Sequence, residues 1–171
     1  NGKAQGLSVS CYSEDNTKRA KKVCYHDGNK QGREVTWYIT GELASEANYV
    51  DGIRHGVYTF YYRNGVISRR LTYVDGCVFL EEEFYSNGQK RHEFPYALNP
   101  AYSEGSKSTR KVVEHGVHRR WQEDGQIIVE IPMNYGLPHG LQRWWYPDGQ
   151  ISSEHYYENN ELKWFKIYDA A

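Results

Sequence analysis

The sequence predicts an all-β protein: an elongated, twisted single sheet of about six stacked β-hairpin repeats with one inserted loop. Glycines recur with a period of 24 residues, and Asn-Gly or Asp-Gly dipeptides separate short strand-like segments. The composition includes 16 Tyr, 5 Trp and 5 Phe among 171 residues, and aromatic side chains favour strands. A helical period of 3.6 residues is not sustained over three turns anywhere, so short strands and tight turns are expected throughout.

Three sets of glycines carry the repeat. The second set follows the first by four residues, and the third follows the second by nine. Gly2 and Gly6 begin the same pattern at the N-terminus. The sets are Gly28, Gly52, Gly76 and Gly136; Gly32, Gly56, Gly116 and Gly140; and Gly41, Gly65, Gly125 and Gly149.

Each unit is interpreted as one hairpin. Asn64-Gly65 lies between two strand-like segments, and this dipeptide favours the type I′ turn, in which both central residues have positive φ. The segment from Gly52 to Gly56 returns the chain to the next hairpin. Six hairpins and a last strand near residues 161–168 give about 13 strands.

Two aromatic ladders follow from the alternation of side chains in a strand. We expect one ladder to form the core and the other to be an exposed aromatic surface, and the sequence leaves open which is which. The alternative is that both ladders mainly stabilise cross-strand packing. One ladder contains Trp37, Tyr61, Phe84, Trp121 and Trp145, and the other contains Tyr38, Tyr62, Tyr85, Gln122 and Tyr146.

The regular spacing is interrupted between Tyr96 and Val112. Residues 97–111 contain Pro100, Gly105 and three serines, which predicts a loop inserted into a single repeat domain of residues 1–171. Loops on rigid scaffolds often carry recognition, and a tolerated surface insertion is the alternative.

An acidic run precedes this loop. In a strand, Glu81 and Glu83 share one face and Glu82 lies on the other, which would form either an acidic recognition patch or a solvated edge. The acidic run, the loop and the second ladder together supply the candidate partner-binding residues. These are Glu81, Glu82, Glu83, Tyr102, Glu104, Lys107, Arg110, Tyr62, Tyr85 and Tyr146.

Charge and motifs argue against most other classes of function. The formal net charge is −1, which gives no electrostatic footprint for a nucleic acid or an anionic membrane. No nucleophile elbow or phosphate-binding loop occurs, so we expect neither an enzyme nor a small-molecule substrate, cofactor or metal. His55, His115 and His139 share one repeat position, but neighbouring repeats lie roughly 9.5 Å apart, which favours turn residues over metal ligands.

The cysteines bear on the compartment. Cys11 and Cys24 fall on opposite arms of the first predicted hairpin and would form a disulfide if their Cα atoms lay within roughly 7 Å. Two ordinary buried thiols are the alternative. This pair, and a sequence that starts at Asn1 rather than Met, favour a protein exported to the periplasm or cell envelope, with the cytoplasm as the alternative.

The order G-x-x-x-G, paired aromatic residues, N/D-G and Tyr resembles the bacterial MORN-variant repeat. The resemblance runs from Gly2 to about Tyr168 and is clearest in GIRHGVYTFYYRNGVISRRLTYVDG and GLPHGLQRWWYPDGQISSEHYYENN. It implies a non-enzymatic scaffold, and many such proteins are classed as immunity proteins or antitoxins that bind a cognate toxin. The alternative is a structural or membrane-associated scaffold of the cell envelope, held through an N-terminal anchor. The family supplies no catalytic residues to carry over.

Overall fold

The computed structural model describes residues 2–11, 19–103 and 111–170. Within these ranges the chain is all-β, as predicted, with antiparallel strands joined as hairpins in chain order. The chain divides into two compact units, Asn1–Val78 and Phe79–Ala171, and the division falls within one strand. The described residues contain no helix that is long and apolar enough to span a membrane.

Sixteen strands are defined within the described ranges. Three of them (β5, β10 and β13) are short segments, each separated by a single residue from the strand that follows. With each of these counted as part of its successor, thirteen strands remain, as predicted. Their bounds are β1 Gly6–Cys11, β2 Arg19–His26, β3 Asn29–Trp37, β4 Leu43–Val50, β5 Ile53–Arg54, β6 Gly56–Tyr61, β7 Ile67–Val74, β8 Cys77–Phe84, β9 Lys90–Leu98, β10 Val112–Glu114, β11 Gly116–Trp121, β12 Ile127–Asn134, β13 Leu137–Pro138, β14 Gly140–Trp145, β15 Ile151–Glu158 and β16 Glu161–Ile167.

The type I′ turns occur between hairpins rather than within them, which corrects the predicted position. Asp51 and Gly52 both have positive φ, at 49° and 82°. At the predicted position only Gly65 does, and its N–H donates to the Tyr62 carbonyl at 2.9 Å. Asn64 Oδ1 accepts the Val66 N–H at 3.1 Å, and the Tyr62 N–H donates to the Val66 carbonyl at 2.8 Å, so this loop is one residue longer than a two-residue turn.

The core of the first unit lies on one face of its strands. The register places Glu34 opposite Ala47 and Tyr58 opposite Leu71 on this face. Its most buried apolar side chains are at most 8% exposed. These side chains are Val23, Ala47, Tyr49, Leu71 and Tyr73.

A buried carboxylate lies within this core. Glu34 is 6% exposed, and its Oε2 lies 2.8 Å from Lys21 Nζ and 2.6 Å from Lys30 Nζ. Burial opposes ionisation, but the hydrogen bonds and charges of the two lysines outweigh it and lower the pKa of Glu34. Lys30 also lies over the Tyr49 ring, 4.5 Å from its centroid. The ion triad therefore joins β2 to β3 through a single buried carboxylate, and Lys30 extends the contact to Tyr49 on β4.

Neither aromatic ladder is an open aromatic surface. In the first ladder Phe84 is buried and the other members are partly buried. In the second, the Tyr38 hydroxyl donates to the Tyr61 carbonyl at 2.6 Å, and the Tyr85 hydroxyl donates to the Trp121 carbonyl at 3.0 Å. These bonds tie one hairpin to the next, so both ladders take part in packing, which was the alternative interpretation.

The register does not support the predicted Cys11–Cys24 bridge. Cys11 pairs with Arg19, whereas Cys24 pairs with Leu7, and all three cysteines are thiols. Four residues separate Leu7 from Cys11 along β1, a distance of roughly 13 Å, and this is too far for a disulfide. The structural support for export therefore falls away.

Candidate protein-binding face

An aromatic and histidine-rich face lies on the second unit. The register aligns Arg120 with His92 on one side and with Val129 on the other. Val129 in turn pairs with Trp144. These side chains lie in one row across β9, β11, β12 and β14, because paired residues point to the same face.

A groove of about 410 Å³ opens on this face. It is lined by the row of His92, Arg120 and Trp144 and by a second row that contains Phe94, His118 and Ile131, and Arg119, which lies between His118 and Arg120 on β11, also contributes to the lining. Phe94 lies edge-on to His118, with ring centroids 5.1 Å apart, and 5.5 Å from the centroid of His92. We call these residues, with Val129, the groove. Its volume lies within the roughly 300–1,000 Å³ typical of ligand sites.

The two groove histidines differ in their surroundings. His92 Nδ1 lies 3.0 Å from Glu83 Oε2. For His118, burial lowers the pKa and outweighs the opposing effects of Glu114 and of a hydrogen bond to the Pro95 carbonyl. His118 Nε2 is buried and has no hydrogen-bond partner within the described ranges. At neutral pH, His118 therefore adds no positive charge to the groove.

Arg120 is the cation of the groove. Arg120 is exposed, and its guanidinium makes no ion pair or hydrogen bond with the described residues. Arg119 and Arg143 lie on the opposite face and are both paired, with Glu130 at 2.9 Å and Glu154 at 3.0 Å. The charge of Arg120 is thus available to a ligand.

The opposite face carries a ladder of ion pairs. Lys90 joins Glu82 at 2.7 Å to Glu93 at 2.6 Å, and Glu93 joins Arg119 at 3.0 Å. Partial burial would raise the pKa of Glu93, but the hydrogen bonds and charges of Lys90 and Arg119 lower it. These charges satisfy one another, so this face needs no ligand to balance it.

The acidic run alternates as predicted. Glu81 pairs with Phe94 and Glu83 with His92 on the groove face, whereas Glu82 pairs with Glu93 on the ion-pair face. All three glutamates are partly buried; Glu82 forms an ion pair with Lys90, and Glu83 Oε2 lies 3.0 Å from His92 Nδ1. Glu81 and Glu83 therefore border the groove, and their role in partner binding stays a prediction.

The inserted segment has an ordered stem. Strand β9 includes Ala97 and Leu98, the first two residues of the predicted loop, and Leu98 pairs with Val112. The Asn99 N–H donates to the Lys111 carbonyl at 2.9 Å, and the Tyr102 N–H donates to the Asn99 carbonyl at 3.0 Å.

The other residues predicted to bind a partner are not part of the groove as the structure describes it. Glu104, Lys107 and Arg110 lie outside the described residues. Tyr62, Tyr85 and Tyr146 are partly buried, and the Tyr146 hydroxyl donates to the Tyr168 carbonyl at 2.8 Å. The structure thus gives Tyr85 and Tyr146 a packing role, and it does not bring them into the groove.

The histidines before the second glycine do not lie in the turns themselves but in the single-residue breaks between the short strands and their successors, and two of them reach a neighbouring turn. His115 Nδ1 accepts the Tyr135 N–H at 3.4 Å, and His139 Nδ1 accepts the Asn159 N–H at 3.3 Å. Gln31 occupies the same repeat position and accepts the Asp51 N–H at 2.8 Å. Among the described residues, no group of His, Cys, Asp or Glu side chains could hold a metal ion.

Sequence reasoning missed the groove residues His92, His118, Arg120 and Trp144. A partial signal was present, because alternation places Arg120 and Trp144 on the face opposite Trp121 and Trp145. The pairing of His92 with Arg120 spans the inserted segment, so it required the register that only the structure supplies.

The state of His118 can be tested by the pH dependence of stability. A histidine whose pKa is lowered by folding contributes stability above its unfolded pKa of about 6.5, and this is lost as pH falls below it. We expect His118→Gln to unfold in urea with a weaker dependence on pH than the unaltered chain between about pH 7 and about pH 5.5. Equal slopes for the two proteins would contradict this assignment.

Three segments match the family model described as the MORN repeat variant: residues 54–75, 114–135 and 138–163. The first lies in the first unit and the other two in the second. These matches support a MORN-repeat protein, and MORN repeats are commonly binding modules for proteins or membranes rather than catalysts. No curated protein matches the chain.

Proposed function

We propose that the chain is a non-enzymatic, protein-binding scaffold that acts as an immunity protein or antitoxin and neutralises a cognate bacterial toxin or effector. The observation that carries this proposal is the groove, where aromatic side chains share a face with a cation that has no partner among the described residues. Aromatic residues and arginine are enriched among the residues that dominate protein–protein binding energies. The ion-pair face, by contrast, is balanced internally.

A protein partner fits the size of this region better than a small ligand alone. The groove accepts a few side chains, and the rest of the exposed strand surface is available for the roughly 800 Å² per partner of a standard interface. Neutralisation by such a scaffold would consist of covering the active site of the toxin, and no chemical step on this chain is needed.

Coexpression with the product of the neighbouring gene tests the proposal. We expect the two proteins to copurify, and we expect this chain to restore growth of cells that produce the other protein. A Glu34→Gln variant that remains folded is a control, because Glu34 belongs to the first unit and is not one of the groove residues of the second. A chain that neither binds the neighbour nor protects cells would contradict an immunity role.

The compartment is a separate proposal. We propose export to the periplasm or cell envelope, with the cytoplasm as the alternative, and fractionation of cells that express the full-length gene decides between them.

A membrane-associated scaffold is the second candidate, favoured by β16. All seven residues of this strand are exposed, including Trp164, Phe165 and Ile167, and Lys163 and Lys166 lie among them. Aromatic residues flanked by lysine suit a membrane interface. Flotation with phosphatidylglycerol vesicles that is lost in Trp164→Ser/Phe165→Ser would support this function, and no flotation would exclude it.

A further inference from the structure

We propose that the groove receives an extended segment of the partner protein, which places an Asp or Glu carboxylate on Arg120 and an apolar side chain between Phe94, Ile131 and Trp144. The inference rests on the proposed function only in that the ligand is a protein, and it does not depend on that protein being a toxin. It specifies the pattern of the segment: an acidic residue and an apolar residue separated by one position.

The charge of the groove selects the acidic residue. Arg120 has His92 and Val129 as its cross-strand neighbours, so neither adjacent strand supplies a carboxylate directly opposite it. Glu83, the next residue along the row, is engaged by His92 at 3.0 Å. A carboxylate from outside the chain would form the bidentate pair that a guanidinium favours.

The second row selects the apolar residue. Phe94, His118 and Ile131 lie beside the row of Arg120, since His118 precedes Arg120 by two residues on β11. Side chains at positions i and i+2 of an extended segment are roughly 6.6 Å apart and point the same way. A segment along β11 therefore sets a carboxylate over Arg120 and its second neighbour over Phe94 and Ile131.

The same face disfavours a nucleic acid. His118 adds no positive charge at neutral pH, because burial lowers its pKa. Arg119 is already paired with Glu93 and Glu130, so Arg120 is the one groove cation without a partner among the described residues, which suits one carboxylate better than a polyanion.

The first experiment uses the complex with the neighbouring gene product and isothermal titration calorimetry. We expect Arg120→Glu and Trp144→Ala each to raise Kd by about tenfold or more. Arg63→Glu, an exposed arginine of the first unit, is the matched control and should change Kd less than about twofold. If the unaltered chain binds and Arg120→Glu binds equally well, the proposed function stands and this inference is overturned.

The second experiment does not depend on any cognate partner. The isotope-labelled chain is titrated with acetyl-Gly-Asp-Gly-Phe-Gly-amide and, separately, with the peptide in which Lys replaces Asp. We expect NMR shifts at the Arg120 side chain and along β9, β11 and β12 for the Asp peptide, and weaker ones for the Lys peptide. The inference would be overturned if the Asp peptide caused no shifts or if both peptides caused equal shifts. It would also be overturned if a DNA oligonucleotide shifted the signals of the same residues of the labelled chain.

Discussion

Replacing Lys21 and Lys30 together by methionine should lower the free energy of unfolding by about 3 kcal/mol at neutral pH. The substitution leaves the buried Glu34 carboxylate without its two cations at 2.8 and 2.6 Å. An uncompensated buried charge is costly, and the Tyr49 hydroxyl at 3.5 Å is too distant to replace two ammonium groups. Urea denaturation of the two proteins at neutral pH measures the difference.

The free energy of unfolding should also change with pH in opposite directions in the unaltered chain and in the double variant. In the unaltered chain the pKa of Glu34 is lowered, so its contribution to stability is present at neutral pH and is lost as pH falls through the carboxyl range. In the double variant burial acts alone and should raise that pKa, so stability should increase as pH falls. Adding Glu34→Leu should restore most of the loss, and a triple variant as unstable as the double variant would contradict this account.

Replacing Gly76 by valine should cost about 2 kcal/mol of stability, because a β-branched residue is strained at positive φ. Gly76 has a φ of 76°, and an added Cβ would lie 2.9 Å from Ile53 Cγ2. Its N–H also donates to the Arg54 carbonyl at 3.2 Å, so any relaxation of the turn would weaken a bond to the preceding hairpin. Thermal unfolding of the variant measures the effect.

The chain offers a matched control for this prediction. Asn160 occupies the equivalent position of the last turn, with a φ of 70°. Gly76→Asn should therefore cost much less than Gly76→Val, since asparagine tolerates the left-handed region. Equal losses for the two variants would show that the contact with Ile53, rather than backbone conformation, dominates.

The hairpin architecture could be predicted because its signals are local. Glycine spacing and dipeptides such as Asp51-Gly52 depend on a few adjacent residues, and they gave the fold class and the number of strands. The type I′ turn was predicted at the wrong dipeptide, and the reason for this is also local. Asn64-Gly65 and Asp51-Gly52 look alike in sequence, but the Asn64 side chain accepts a backbone N–H and the loop closes one residue later.

The groove and the cysteine register depend on longer-range pairing. His92 pairs with Arg120 because β9 and β11 continue to pair beyond the stem of the inserted segment, where Leu98 pairs with Val112. Cys11 pairs with Arg19, whereas Cys24 pairs with Leu7, which is four residues from Cys11 along β1. No periodicity fixes such offsets, since each depends on how many residues the connecting segment holds.

The turns between hairpins also bear on how such a chain can change in length. The N–H of the second turn residue donates to a carbonyl 22 residues earlier in four turns, from Gly52 to Lys30, Gly76 to Arg54, Gly136 to Glu114 and Asn160 to Pro138. Duplication of a whole 24-residue unit would carry both donor and acceptor with it and create a further bond of the same kind. Insertions that do not match the period are accommodated beyond the end of a hairpin, as between Leu98 and Val112. Gene duplication could therefore alter the number of hairpins while each retained hairpin kept its contacts.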